Sequence, residues 1–250
     1  MEAKVISAGC TEFMVYALGS QSVCCSDDPL LPEAGVPLAG GGMSSPQSDH
    51  SSYIPQNIVL ERDAKVEIVV LVLPGTSCDL NMNIRLIGEG AEANVYGAYV
   101  CGGEEKVKIA VDMHHEVAHC NSRQLFKGIA GGESKVDFYG KIIVAKDAQR
   151  TEAYQENHNI LLSDGAKVDT KPQLEIYADD VKCSHGATIG RLNEEEQFYM
   201  RSRGISLEDA KVLQMISFVA PVLENIPDES QREALAAQLE ESIRNIVKNM

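Results

Sequence analysis

Tryptophan is absent from the 250 residues, phenylalanine occurs five times and tyrosine eight. Such a scarcity of bulky rings, set beside plentiful Val, Ile and Gly, suits stacked β-strands with tight turns better than a helical bundle. Long apolar runs are also missing. The richest, at 68–73 and 142–145, are flanked by charge or turns and fall far short of the about 18 to 20 residues of a membrane span, so none is expected. Basic residues are few: 22 Lys and Arg stand against 37 Asp and Glu, a formal charge of -15. Without a basic stripe the chain cannot neutralise phosphates, which excludes a nucleic-acid partner, and the acidity favours solubility. Residues 1–7 carry neither the basic start nor the long apolar segment of a secretory signal, which predicts a cytoplasmic chain. The seven cysteines then read as reduced thiols. No phosphate-cradling loop is present for ATP hydrolysis.

What is there, 44% hydrophobic and 24% charged residues, fits one globular core with an appendage. Residues 1–56 offer one possible strand pair, around 4–6 and 13–18, and then a Gly-, Pro- and Ser-rich stretch from 26 to 56 with little to bury, expected to be poorly ordered. From residue 57 to 190 short β segments follow at regular spacing: 57–60, 64–73, 80–86, 93–100, 107–113, 136–144 and 173–177. In KVKIAVDM at 106–113 apolar and polar residues alternate, the period of a strand with one buried face. A weak internal repeat relates GAEANVYG at 90–97 to ESKVDFYG at 133–140, with the Tyr-Gly pairs 43 residues apart. That interval fits two solenoid rungs of roughly 20 to 22 residues each. DAKV at 63–66 and GAKV at 165–168 place turn-forming residues at rung corners. Gly-rich hairpins in a β-sandwich are the alternative.

Residues 191–250 change character. Ser206-Leu207-Glu208-Asp209 is a variant capping box, and Leu213, Ile216, Ala220 and Leu223 follow at helical spacing, so a helix begins near Leu207, with Pro221 kinking it near its end. Pro227 and Asp228 open a second helix whose Leu235, Leu239, Ile243 and Ile246 form an apolar stripe. The tail therefore reads as a helical hairpin with an apolar face in need of a partner.

Three constellations could carry chemistry. Cys183 and His185 stand two apart on an expected strand and so share a face, where a thiolate and an imidazole could converge on one iron. His115-Glu116-Val117-Ala118-His119 satisfies the HExxH pattern of zinc proteases, which requires a helix at 111–122. The residues before it alternate as a strand, and on a strand the two imidazoles would stand about 13 Å apart, too far to share one zinc. Cys78, Cys101 and Cys120 read as small apolar residues in or beside strands, while Cys10, Cys24 and Cys25 read as free thiols in the N-terminal part.

The segment TKPQLEIYADDVKCSHGAT at 170–188, continued by QFYMRSRGI at 197–205 and more loosely upstream by HCNSRQLFKGI at 119–129 and by 137–142, resembles the signature of the SufD/SufB family of SUF iron-sulfur cluster assembly scaffolds, closer to SufD. The resemblance covers about residues 56 to 225, and residues 1–56 do not look like the family's usual N-terminal domain. It implies a mainly β fold, a right-handed parallel β-helix with a C-terminal helical subdomain. It also implies a scaffold rather than an enzyme: a transient iron-sulfur cluster held at a β-helix interface, with His185 there and Cys183 beside it. Where SufB-type sequences carry a cysteine before a Leu-Leu strand, His158 stands here, which favours the SufD-like role. The partners implied are a SufC-type ABC ATPase, docked on the C-terminal helices through Leu213, Ile216 and Ala220, and a SufB-type paralogue. A minimal scaffold of two copies of this chain is the variant reading.

Overall fold

The computed structural model describes residues 3–19 and 54–249. Twelve strands precede three helices: β1 (Lys4–Ile6), β2 (Thr11–Leu18), β3 (Asn57–Leu60), β4 (Lys65–Val72), β5 (Cys78–Leu86), β6 (Glu92–Cys101), β7 (Lys106–His115), β8 (Asn121–Ala130), β9 (Lys135–Val144), β10 (Glu152–Leu161), β11 (Lys167–Ile176), β12 (Lys182–Gly190), α1 (Glu194–Ser202), α2 (Leu207–Leu223) and α3 (Glu229–Lys248). Odd-numbered strands form one parallel sheet in the order β1-β3-β5-β7-β9-β11, and even-numbered strands form the other. The chain alternates between the sheets and so winds as a parallel β-solenoid, as the strand spacing predicts.

Alternation fixes the register. In β7 the residues Val107, Ile109, Val111, Met113 and His115 are buried while their neighbours are not. They stack in line with Leu80, Met82, Ile84 and Leu86 of β5 and with Phe138, Gly140, Ile142 and Val144 of β9. A slip of one residue would turn this whole set to solvent.

The rung is longer than the expected 20 to 22 residues. Paired residues such as Ile58 and Ile84, Val111 and Gly140, or Val136 and Val168 are 26, 29 and 32 positions apart. The 43-residue repeat relates β6 to β9, which lie in different sheets, so it spans three strand-plus-turn units, or one and a half rungs. Its glycines answer to crowding in the interior. A Cβ on Gly97 would come within 2.2 Å of the Phe126 ring, and one on Gly140 within 1.8 Å of the Gln155 amide nitrogen.

At the N-terminal end β1 and β2 do not pair with each other; β1 joins β3 and β2 joins β4, so they form the first rung. Residues 26–53 of the stretch expected to be irregular, with Cys24 and Cys25, lie outside the described residues. Cys78, Cys101 and Cys120 are buried, as expected. Burial pushes the Cys120 thiol up to about 11 and that of Cys101 higher still.

The strands at 121–130 and 152–161 were not expected, because their inward positions carry Ser122, Gln124, Gln155, Asn157 and Asn159 where the pattern calls for apolar residues. The interior is apolar along most of its length and polar toward its C-terminal end.

A second core lies outside the even-numbered sheet. Val69, Leu71, Tyr96, Ala98 and Val100 turn outward from β4 and β6 and meet Val212, Met215, Val219 and Val222 of α2 and Leu235, Leu239, Ile243 and Val247 of α3. This explains the apolar run at 68–73, since a parallel strand buried on both faces needs no polar alternates. It also corrects the expectation that the tail's apolar face awaits a partner: the chain's own sheet covers it. Ser206 caps α2 by accepting the Asp209 N–H at 3.0 Å, and Asp228 caps α3 by accepting that of Gln231 at 2.6 Å. Helix α2 runs through Pro221 and ends two residues later. Helix α1, capped by Asn193, escapes the periodicity because Gln197 is its one buried residue. No helix among the described residues is long and apolar enough to cross a membrane.

Candidate functional site

The last rung is open. Strand β11 pairs only with β9 and β12 only with β10, so each ends its sheet with one edge unpaired among the described residues. Inward positions of β12 are Cys183, His185, Ala187 and Ile189, in register with Ala153, Gln155, Asn157 and Asn159 of β10. On the facing sheet Val168, Thr170, Pro172, Leu174 and Ile176 continue the column of Val136, Phe138, Gly140, Ile142 and Val144. Pro172 is tolerated there because an edge strand need not donate on both sides. Ile189 is 47% exposed and Ile176 40%, although both occupy positions that are core in the preceding rungs.

Cys183 and His185 thus share the inward face, as their spacing predicts, at the mouth of the solenoid. Cys183 is half-buried against the interior cluster, and this burial holds its thiol above the usual value, partly offset by a hydrogen bond with the Ala153 backbone. A metal binding there must displace the thiol proton. His158 is not brought to the same place. It stands on the outward face of β10, with Nδ1 2.8 Å from the Thr188 hydroxyl and Nε2 3.5 Å from the Glu156 carboxylate. Among the described residues no group of three or more His, Cys, Asp or Glu side chains could hold a metal ion, so Cys183 and His185 make an incomplete donor pair.

Beneath the mouth lies a polar interior that sequence reasoning missed. The Gln155 amide donates to the Gln124 carbonyl at 2.9 Å, the Tyr99 hydroxyl bonds Asn159, and His115 Nε2 lies 2.8 Å from the Ser122 hydroxyl. Gln155 Oε1, Asn157 Nδ2, Gln124 Nε2 and His115 Nδ1 are buried without a hydrogen-bond partner among the described residues. The available signal was the run Gln155, Asn157, Asn159, three amides at period two.

The HExxH stretch is not a helix. Strand β7 ends at His115, a turn carries residues 116–120, and β8 begins at Asn121. Glu116 is paired with Arg85 at 2.6 Å and His119 sits in the turn at φ 61°. His115 points inward, buried, its pKa pushed down to about 4 by burial and by neighbouring His114. The protease alternative falls with the helix it required.

A groove of about 790 Å3 lies between α1 and α2, lined in part by Leu192, Tyr199, Met200, Leu213 and Phe218. Leu213 is 46% exposed there, whereas Ile216 is half-buried against the second core and Ala220 is half-buried.

These features define an all-parallel, two-sheet β-solenoid with helices packed on one face and its thiol and imidazole at one open end. Residues 43–218 match the family model described as SUF system FeS cluster assembly, SufBD core domain. The chain belongs to this family. It is 37% identical over 195 residues to the iron-sulfur cluster assembly protein SufD of Escherichia coli, covering 78% of this chain and 46% of that protein. It is 34% identical over 178 residues to the chloroplastic protein ABCI7 of Arabidopsis thaliana, covering 69% and 37%. With SufD of Bacillus subtilis it shares 27% over 183 residues, covering 73% and 42%. The chain therefore spans less than half the length of these three relatives.

Proposed function

We propose that the chain is a SufD-like scaffold subunit that holds a nascent iron-sulfur cluster, as cargo, at a contact between two solenoids. The observation that supports this reading best is the open rung: two unpaired strand edges with Cys183 and His185 facing inward between them. An unpaired edge is a template for another chain's strand, and the incomplete donor pair calls for ligands from the partner. That partner is a SufB-type paralogue, or a second copy of this chain in the minimal version. His158, on the outward face, is assigned to the rim of the cluster site, and an ATPase of the SufC type to the α1–α2 groove, with Leu213, Ile216 and Ala220 on its α2 side. In this reading the ATPase's nucleotide-driven closure pulls on the helices and opens the solenoid contact to iron and sulfide, and the chain itself catalyses no reaction. We place it in the cytoplasm.

The test is anaerobic co-expression with the ATPase and the paralogue, recording subunit composition and visible absorption for wild type and His185→Ala. A brown complex containing the ATPase, bleached by the substitution, is the expected result. A colourless, solitary chain indifferent to it would remove the scaffold role.

A further inference from the structure

An imidazole that binds metal through one nitrogen presents an N–H on the other, and that N–H needs an acceptor if the ring is to hold one tautomer and one orientation. If His185 is a ligand, as proposed above, its acceptor must come from the inward face around it. In register beneath Cys183 is Ala153 and beneath Ala187 is Asn157; beneath His185 itself is Gln155. Strand spacing puts the Gln155 and His185 backbones about 4.8 Å apart, with both side chains on the same side of the sheet.

Gln155 is built for such a contact. It is fully buried, its amide nitrogen is committed to Gln124 Oε1 at 2.9 Å, and its Oε1 has no partner among the described residues. Gly140 makes room for it from the facing sheet, where any Cβ would lie 1.8 Å from the amide nitrogen. A buried acceptor left unpaired costs about 1 to 3 kcal/mol, which a hydrogen bond from His185 would offset. The geometry points to Gln155 as a positioning residue: its carbonyl, held by Gln124 from behind and by the gap at Gly140 and left open in this structure, is the acceptor in register for the N–H of the exposed His185 ring, and taking up that N–H fixes the ring that faces the cluster cargo.

This inference rests on the scaffold reading for its purpose but not for its test. The readout is the imidazole 15N shifts of the isolated chain at about pH 8, where an ordinary imidazole is neutral, with the His185 signal identified by its loss in His185→Ala. Wild type should show the widely separated nitrogen shifts of a single tautomer. Gln155→Met should bring them together toward the averaged values of a ring that exchanges both forms, and Gln155→Glu, which keeps an acceptor, should preserve the separation. If Gln155→Met fails to fold, Gln155→Asn withdraws the carbonyl by one methylene and should give the same convergence. Identical shifts in wild type and Gln155→Met, or loss of the single tautomer in Gln155→Glu, would overturn the assignment. In the co-expressed complex Gln155→Met should also lower cluster retention about 10- to 100-fold. A fixed His185 tautomer in a chain whose complex stays colourless would uphold the inference and remove the scaffold reading. A brown complex whose His185 is indifferent to Gln155→Met would do the reverse.

Discussion

His115 shows how a motif in sequence and a side chain in a fold can diverge. It fits a metal-binding pattern, yet it is the last inward residue of β7, hydrogen-bonded to Ser122 and closed off from water. Burial disfavours its charged form, so its pKa is about 4 in the folded chain against about 6.5 when unfolded. The unfolded chain then binds the extra proton first. His115 therefore leaves stability intact above about pH 6.5 and removes up to about 3 kcal/mol as pH falls through about 4. The expected outcome is that His115→Gln flattens the decline of the urea midpoint between pH 6.5 and 4. Equal slopes for both proteins would show that the imidazole titrates freely. At this scale the sequence carried the pairing of Cys183 with His185, because alternation in a strand is a local property. It hid Gln155 and Gln124, since two amides 31 positions apart meet only when a rung brings them together.

At the scale of elements, α2 separates two roles that helical spacing alone confuses. Val212, Met215, Val219 and Val222 face the sheet, whereas Leu213 faces the groove beside α1. Leu213→Asp should change stability by no more than about 0.5 kcal/mol while abolishing ATPase retention on an affinity column. Val219→Asp buries a carboxylate and should cost about 4 kcal/mol or more. Retained ATPase in folded Leu213→Asp would move the docking surface elsewhere. The apolar stripe of α3 was legible nearly residue by residue, with Leu235, Leu239 and Ile243 buried and Val247 completing the row beside half-buried Ile246. Strands β8 and β10 were not legible, because a polar interior removes the apolar alternation that marks a strand.

For the whole molecule the open rung is the feature to test. Ile189 faces inward on the edge strand β12, whose outer edge is unpaired among the described residues, so a charge there should disturb a partner more than the chain itself. Ile189→Lys is expected to leave the melting temperature within a few degrees of wild type and to lower co-purification of the paralogue at least tenfold, measured by size exclusion with light scattering. Undiminished association would place the contact away from this edge.

By itself the sequence determined the solenoid's alternation, the capped helices, the shared face of Cys183 and His185, and, through the 170–188 signature, the family. These are local: side-chain period, cap chemistry and short motifs are written in neighbouring residues. The tertiary structure decided the rung length, the membership of β1 and β2 in the first rung, the sheet that covers the tail's apolar face, and the polar column under His185. Each depends on which segments stack across 26 to 32 positions, and that stacking is set by packing between rungs rather than by any single stretch of chain.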